Sequence, residues 1–311
     1  MDFHRYPISQ SLIRKFLYKG NEIEGCPKKI YHTEIFRDFP TELEGPRLDG
    51  MYFESGVIGT SASGLNVIDL PRKKLTKLQI AQNEKAIREG KKPPNIPIKK
   101  IGQIRLDHQM KIFEQLAFKY QLSIFPKTNT QVHIMKLWES DNRIMLSMTL
   151  DIFPTYVLGF KDGEDKIYWS IVDLKVTGNI HNTFGPYCYG DAEHLDKIQG
   201  RMYHYGVRDI DYKLNPELVN LLQPGCVRAI EENRIRFLMW VFDYKKEELE
   251  NKFVEVKWGH SEKAELFESI RKTVSIIEDH EMQGWPTKPE YSFCNKCPLV
   301  HCPDKTVVEV I

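Results

Sequence analysis

The sequence predicts an α/β fold whose sheet is rich in antiparallel pairs. Three observations carry this. Apolar segments of strand length recur between residues 131 and 258, and helix-period segments stand before, between and after them. Two of the strands are also joined by a short polar turn, as in a hairpin.

The first element, Ser9–Tyr18, places Leu12, Ile13, Phe16 and Leu17 at helical spacing with a serine near its start. Cys26 follows in a loop, in the run CPKKIY, and residues 45–66 are Gly- and Ser-rich without a periodic signal. Between Arg72 and Arg105 stand eleven basic residues against two acids, Glu84 and Glu89, with Pro93, Pro94 and Pro97. This stretch reads as a basic helix followed by an extended arm. It suits either a solvated surface or a grip on backbone phosphate. Asp107–Tyr120 is amphipathic through Met110, Ile112, Phe113, Leu116 and Ala117. Strands are expected at Gln131–Glu139 and Arg143–Phe153, around the turn Ser140-Asp141-Asn142, and at Lys166–Val176 after Asp162-Gly163. A helix from about Asp191 to Tyr205, strands at Arg234–Tyr244 and Phe253–Trp258, and a long helix at Ser261–Met282 complete the order. Trp138, Trp169, Trp240 and Phe242 lie on expected strands, where core packing is their role. Tyr187 and Tyr189, in the loop around Cys188, suit either packing or stacking on bases.

At 311 residues with 41% apolar content the chain can bury a sizeable core, in one large domain or two smaller ones. It has no apolar run approaching the ~20 residues that span a bilayer. The opening MDFHRYPISQ lacks the charged and apolar regions of a secretory signal, so a cytoplasmic protein is expected. In that compartment closely spaced cysteines point to metal binding or redox chemistry rather than a disulfide framework. A net charge of +1 argues against a protein that merely coats nucleic acid.

Asp173 and Lys175 stand two apart on an expected strand, so their side chains share a face, with Val172 and Leu174 on the other. A buried carboxylate and ammonium are costly unless something uses them. Asp151, on the neighbouring strand in MTLDIF, brings a second carboxylate. Two carboxylates and a main-chain carbonyl, that of Leu174, suit a hard divalent cation such as Mg2+ or Mn2+. Taken alone, D-x-K is more often a surface ion pair. Gln199 and Tyr203, four apart and therefore on one helical face, follow just downstream.

Asp151, Asp173-Leu174-Lys175, and Gln199 with Tyr203 together resemble the motifs of PD-(D/E)XK nucleases. The resemblance is to the RecB-like branch that holds the Cas4 proteins and the AddB and Dna2 nuclease domains. It runs from about Cys26 to Cys302. It implies a restriction-endonuclease-like core, a mixed central sheet flanked by helices. It further implies that Asp151 and Asp173 bind metal, that Lys175 assists hydrolysis, and that Gln199 and Tyr203 hold the site and the DNA. The branch also places a further ligand on an upstream helix. Glu54 is the candidate here, with His108 and Glu114 as alternatives, although the spacing of Glu54 to Gly56 departs from the pattern.

Cys294, Cys297 and Cys302 stand at C-x2-C-x4-C spacing, which lets thiolates converge but does not choose the metal; four thiolates suit Zn2+ equally. The split of Cys26 before the core and three cysteines after it resembles the 4Fe–4S cluster of that branch, as does the preceding Gly284-Trp285-Pro286. The branch's last gap is commonly one residue longer. Cys188 and Cys226 read as structural thiols. The expected division is an N-terminal segment, 1–50, a nuclease core, 51–283, with the basic insertion at about 72–105, and a cysteine segment, 284–311, that joins the N-terminal one in an accessory lobe.

The function expected is a metal-dependent deoxyribonuclease, an exonuclease on DNA ends or single strands. Its partners would be DNA and a helicase, recombination or integration protein. The alternatives are a DNA-binding or assembly protein that keeps the fold and cluster without efficient catalysis, and a zinc-stabilised protein unrelated to nucleases.

Overall fold

The computed structural model describes residues 1–23, 25–38, 46–58, 77–91, 113, 116–122, 129–158, 167–185, 187–243, 250–288, 294, 297, 299 and 302. The chain opens with β1 (Ile8–Ser9) and α1 (Gln10–Phe16); Ser9 Oγ caps the helix by accepting from the Leu12 N–H at 3.2 Å. A small ribbon, β2 (Leu17–Tyr18) and β3 (Asn21–Glu22), leads to α2 (Pro27–Ile30) and a π-helical turn, Tyr31–Ile35. Two helices, α3 (Pro46–Ile58) and α4 (Lys77–Arg88), precede β4 (Thr130–Trp138), β5 (Asp141–Leu158) and β6 (Ile167–Thr177). Then come α5 (Ile198–Gly206), α6 (Leu218–Leu221), α7 (Pro224–Glu231), β7 (Arg236–Asp243), β8 (Asn251–Val256) and α8 (His260–Met282).

Apart from β2 and β3, the strands form one mixed sheet in the order β1-β5-β6-β7-β8, with β4 paired to β5. The expected α/β class with helices against a mixed central sheet is therefore what the chain adopts. β5 serves three neighbours. β4 runs antiparallel along one edge of it as far as Ile152; on the other edge β1 lies parallel at Leu146 and Ser147, and β6 antiparallel from Ile152 to Leu158. Between Ser147 and Ile152 that second edge changes partner, which opens a fork in the sheet. β6 and β7 are parallel, so the chain between them must cross over, and α5, α6 and α7 lie in that crossover.

Alternation along the strands divides the apolar residues between two faces. Val172, Leu174, Leu238, Trp240 and Phe242 meet Phe53 and Ile58 of α3 on one; Ile171, Phe237, Met239 and Val241 meet Ile13, Met202 and Ile270 of α1, α5 and α8 on the other. β7 is buried on both faces, as its near-continuous apolar run implies. Trp138, Trp240 and Phe242 are core residues as expected, and Trp169 is half-buried.

Differences from the expected elements have local causes. The helix expected from Asp191 begins only at Ile198. Asp191 Oδ1 accepts from the Glu193 and His194 N–H groups and Asp196 Oδ1 from the Ile198 N–H, side-chain bonds that compete with a helical turn. β5 continues past Phe153 to Leu158, so Asp151 lies inside the strand rather than near its end. α3 forms in the stretch without periodic signal, where Phe53 packs at 5.0 Å on the ring of Phe242. Of the basic stretch 72–105, residues 77–91 are described, and the extended arm lies outside the described residues, as do His108 and Glu114. No helix among the described residues is long and apolar enough to cross a membrane.

Candidate active site

The fork in β5 gathers the expected acidic and lysine residues. The pairing of Ile152 with Val172 sets Asp151 across from Asp173. Beyond it the Leu174 N–H is bound by a side chain, Asp151 Oδ2 at 2.7 Å. Asp151 and Asp173 are both buried, the latter only 1% exposed. Lys175, on the same face of β6 as Asp173, places Nζ 2.5 Å from Asp173 Oδ2.

α5 closes the fork from one side. Gln199 Nε2 donates to Asp173 Oδ1 at 2.7 Å and to the Tyr203 hydroxyl at 3.1 Å. Tyr203 in turn donates to the Thr149 carbonyl at 2.6 Å, beside the stretch where the second edge of β5, away from β4, lacks a strand neighbour. The close approach of helix to sheet depends on Gly200, where a Cβ would come within 2.7 Å of the Phe237 ring.

A further carboxylate, Glu54, comes from α3 on the other side of the sheet. Gln131, on β4, donates from Nε2 to Glu54 Oε1 of α3 at 2.6 Å and, at 3.3 Å, to Asp151 Oδ1. Two carboxylates, Asp173 and Asp151, thus act on one ammonium, and a third, Glu54, acts on Asp151. The imbalance is visible in their protonation. Burial, then the charges of Asp173 and Glu54, push the Asp151 carboxyl well above its ordinary range, against Lys175 and the Leu174 N–H. Burial alone would lower Lys175; Asp173 and Asp151 outweigh it and hold the ammonium above its usual value. Tyr203 is likewise raised, by burial and then by the two aspartates.

This donor set fits a hard divalent cation in its chemistry. Asp173 Oδ2 is buried and, among the described residues, has no partner besides Lys175. A cation would also offset the burial and the neighbouring negative charges that raise Asp151. Among the described residues no three His, Cys, Asp or Glu side chains are grouped to hold a metal ion, and the amide of Gln131 stands between Glu54 and Asp151.

Outside the fork, the loop after β6 leads from the acid–lysine centre to the surface. Tyr189 is buried and feels Lys175 and Asp173; burial chiefly, opposed by Lys175, pushes its hydroxyl up to about 12. Beyond it Phe184 and Tyr187 are 82% and 52% exposed, and the Arg14 guanidinium lies 5.6 Å over the Tyr187 ring. Arg14 is itself fixed by Asp196 Oδ2 at 2.7 Å.

The cysteines lie elsewhere. Cys26 is buried at the N-terminus of α2, and its Sγ accepts from the Lys288 N–H at 3.5 Å. Nearby, the Lys28 N–H donates to the Pro286 carbonyl, and Tyr31 and Trp285 pack with ring centroids 4.9 Å apart, so the α2 segment meets the chain just after α8. Cys294 is buried and Cys297 and Cys302 are half-buried. Cys188 and Cys226 are buried; burial pushes the Cys226 thiol up to about 12, as suits an inert structural thiol.

Sequence reasoning brought Asp151, Asp173, Lys175, Gln199 and Tyr203 together as the structure does, and it named Glu54. It missed Gln131. A glutamine at the start of a strand carries no pattern signal; only its φ of +52°, a region that L side chains rarely adopt, sets it apart.

No family model matches the chain, and no curated protein matches it. Among solved structures, the chain is similar to a protein from Eubacterium rectale described as "Putative exonuclease". The identity is 14% and the TM-score 0.50, over 99% of this chain and 90% of that one. At that identity the likeness is one of fold.

Proposed function

We propose that the chain is a metal-dependent DNA nuclease acting on DNA ends or single strands. The observation that carries this is the fork: two buried carboxylates face each other across β5 and β6, with a lysine paired to one of them and a third carboxylate one amide away. The fold shared with the Eubacterium rectale protein supports the reading, as does the nuclease resemblance of the motifs.

Asp151, Asp173, the Leu174 carbonyl and Glu54 would hold Mg2+ or Mn2+. The bound ion supplies Lewis-acid polarisation of the phosphodiester and a water of lowered pKa. The chain's own contribution is positional and electrostatic. Gln199 fixes one oxygen of Asp173 and leaves the other toward Lys175. Lys175, kept cationic by its two aspartates, donates to charge developing on the phosphate. Tyr203 holds α5 to β5 at Thr149, where the second edge of β5 changes partner. Tyr187 and Phe184 offer ring faces to bases, and Arg14 a charge to backbone phosphate.

Digestion of end-labelled single- and double-stranded DNA with Mn2+, wild type against Asp173→Asn, tests the reading. A second reading rests on the separation of Glu54 from Asp151 by Gln131: a DNA-binding or assembly protein with little catalysis. Tight DNA binding without cleavage in Mg2+ or Mn2+ would select it.

Cys26, Cys294, Cys297 and Cys302 are proposed to hold a 4Fe–4S cluster, with Zn2+ as the alternative. The seating of Cys26 against Lys288, and of Trp285 on Tyr31, brings Cys26 to the stretch that leads into the other three cysteines, although among the described residues no three thiols are grouped to hold a metal ion. A centre that exists only in the folded chain adds to folding free energy. Cys297→Ser is therefore expected to lose bound iron and acid-labile sulfide and to lower the thermal midpoint by at least ~5 °C. Zinc in place of iron in the wild type would select the alternative, and neither metal would remove the proposal.

A further inference from the structure

We propose that Gln131 is a positioning residue of the acidic centre, and that it sets the cation affinity by clamping Glu54 to Asp151. The inference deepens the nuclease reading above and rests on it. Its basis is geometric. One amide nitrogen serves two carboxylates from two different elements, at 2.6 Å to Glu54 Oε1 and 3.3 Å to Asp151 Oδ1. Toward ionised carboxylates it is the NH2 end of the amide that faces, as it does here. The oxygen is thereby turned away. It is buried and meets no donor among the described residues.

Two features of Gln131 run against stability. Its backbone lies at φ +52°, where glycine or asparagine is at ease and glutamine is not. Its buried Oε1 goes without the hydrogen bond that such an atom normally finds. Strain of this kind persists where the surroundings enforce it, and it gathers at functional sites.

Position explains what is gained. Gln131 stands opposite Asp151 in the β4–β5 pairing, since Thr130 pairs with Ile152 and Val132 with Leu150. The regular side-chain alternation slips at this point. Leu150 and Val132 face the core that holds α5, while Ile152 faces the core that holds α3. The slip is the kind of local break that re-aims a side chain. It brings Gln131 between α3 and β5, where it can gather the carboxylate of the one toward that of the other. Without the clamp, the amide bridge between Glu54 and Asp151 is lost, and the two carboxylates, which couple unfavourably, are no longer held together by it.

Calorimetric titration of the full chain with Mn2+, in the absence of DNA, tests this without reading cleavage. Gln131→Gly removes the amide and relieves the backbone, and circular dichroism checks that the fold is kept. Removal of a group that orients metal ligands typically costs 10- to 100-fold in affinity, so a fall of about 10- to 100-fold is expected for Gln131→Gly. Glu54→Gln should fall by a similar factor, and the double variant by no more than the larger single fall. That non-additivity would not arise from a merely structural role. Should Gln131→Gly fail to fold, Gln131→Asn keeps an amide and tolerates the backbone but cannot span both carboxylates; the same fall is expected. Unchanged Mn2+ affinity in the folded variant overturns the assignment, as do fully additive losses. Asp173→Asn separates the two levels of inference. If it too binds Mn2+ like the wild type, the nuclease reading fails; if it loses Mn2+ while Gln131→Gly does not, only the role of Gln131 fails.

Discussion

Asp173→Asn and Lys175→Ala are each expected to lower Mn2+-dependent cleavage of end-labelled DNA by at least ~10²- to 10³-fold, the scale of losing one charge-stabilising group at a reacting centre. The asparagine variant isolates charge from shape. Its side-chain oxygen can still accept from Gln199, as Asp173 Oδ1 does at 2.7 Å, so α5 keeps its hold on β6. What disappears is the negative charge that a cation and Lys175 both require. In Lys175→Ala the reverse holds: both carboxylates stay, and the ammonium that Asp173 and Asp151 keep protonated is gone. Cation binding should then persist, or strengthen, while cleavage fails. A Lys175→Ala protein that cleaves at the wild-type rate would remove the lysine from the chemistry. An Asp173→Asn protein that does so would remove the site altogether.

Acidification is expected to destabilise the fold between about pH 6.5 and pH 4 through His204, a group outside the acid–lysine centre. His204 is 2% exposed on α5, its Nε2–H donating to the Val256 carbonyl at 3.0 Å and its ring stacked on Trp258. Burial pushes it down to about 4, with Arg208 adding and the Val256 bond opposing. The folded state therefore keeps the ring neutral where the unfolded chain would protonate it. The stability is fully present above the unfolded value near 6.5 and is lost as pH falls toward 4. The displacement corresponds to about 3 kcal/mol at most. Urea unfolding at pH 7 and pH 4.5 should show a drop of about 2 kcal/mol or more in the wild type and a smaller one in His204→Gln. Equal drops in the two proteins would assign the acid sensitivity to other groups.

Much of the site was legible before any coordinates. The two-residue spacing of Asp173 and Lys175 on a strand fixes them to one face, and the four-residue spacing of Gln199 and Tyr203 on a helix does the same. Both follow from backbone geometry alone, and the hydrogen bond from Gln199 to Tyr203 is its direct consequence, whereas that to Asp173 also needs α5 to pack on β6. The core positions of Trp240 and Phe242 were readable for the same reason, because a strand buried on both faces must be apolar throughout. Helix α3 was not readable. Its residues carry no helical period, and it is held by Phe53 on Phe242 and Phe113, partners nearly 200 and 60 residues away.

The sequence by itself determined which residues could share a face: the acid–lysine strand, the Gln–Tyr helix, and the apolar runs around them. Local periodicity needs only neighbours a few positions apart. Only the tertiary structure decided that β5 changes partner beside Asp151, that Tyr203 holds α5 to β5 at Thr149, and that Gln131 stands between Glu54 and Asp151. Those facts depend on pairings between distant segments and on one backbone angle at Gln131, and neither strand register nor a left-handed φ is written in the order of side chains.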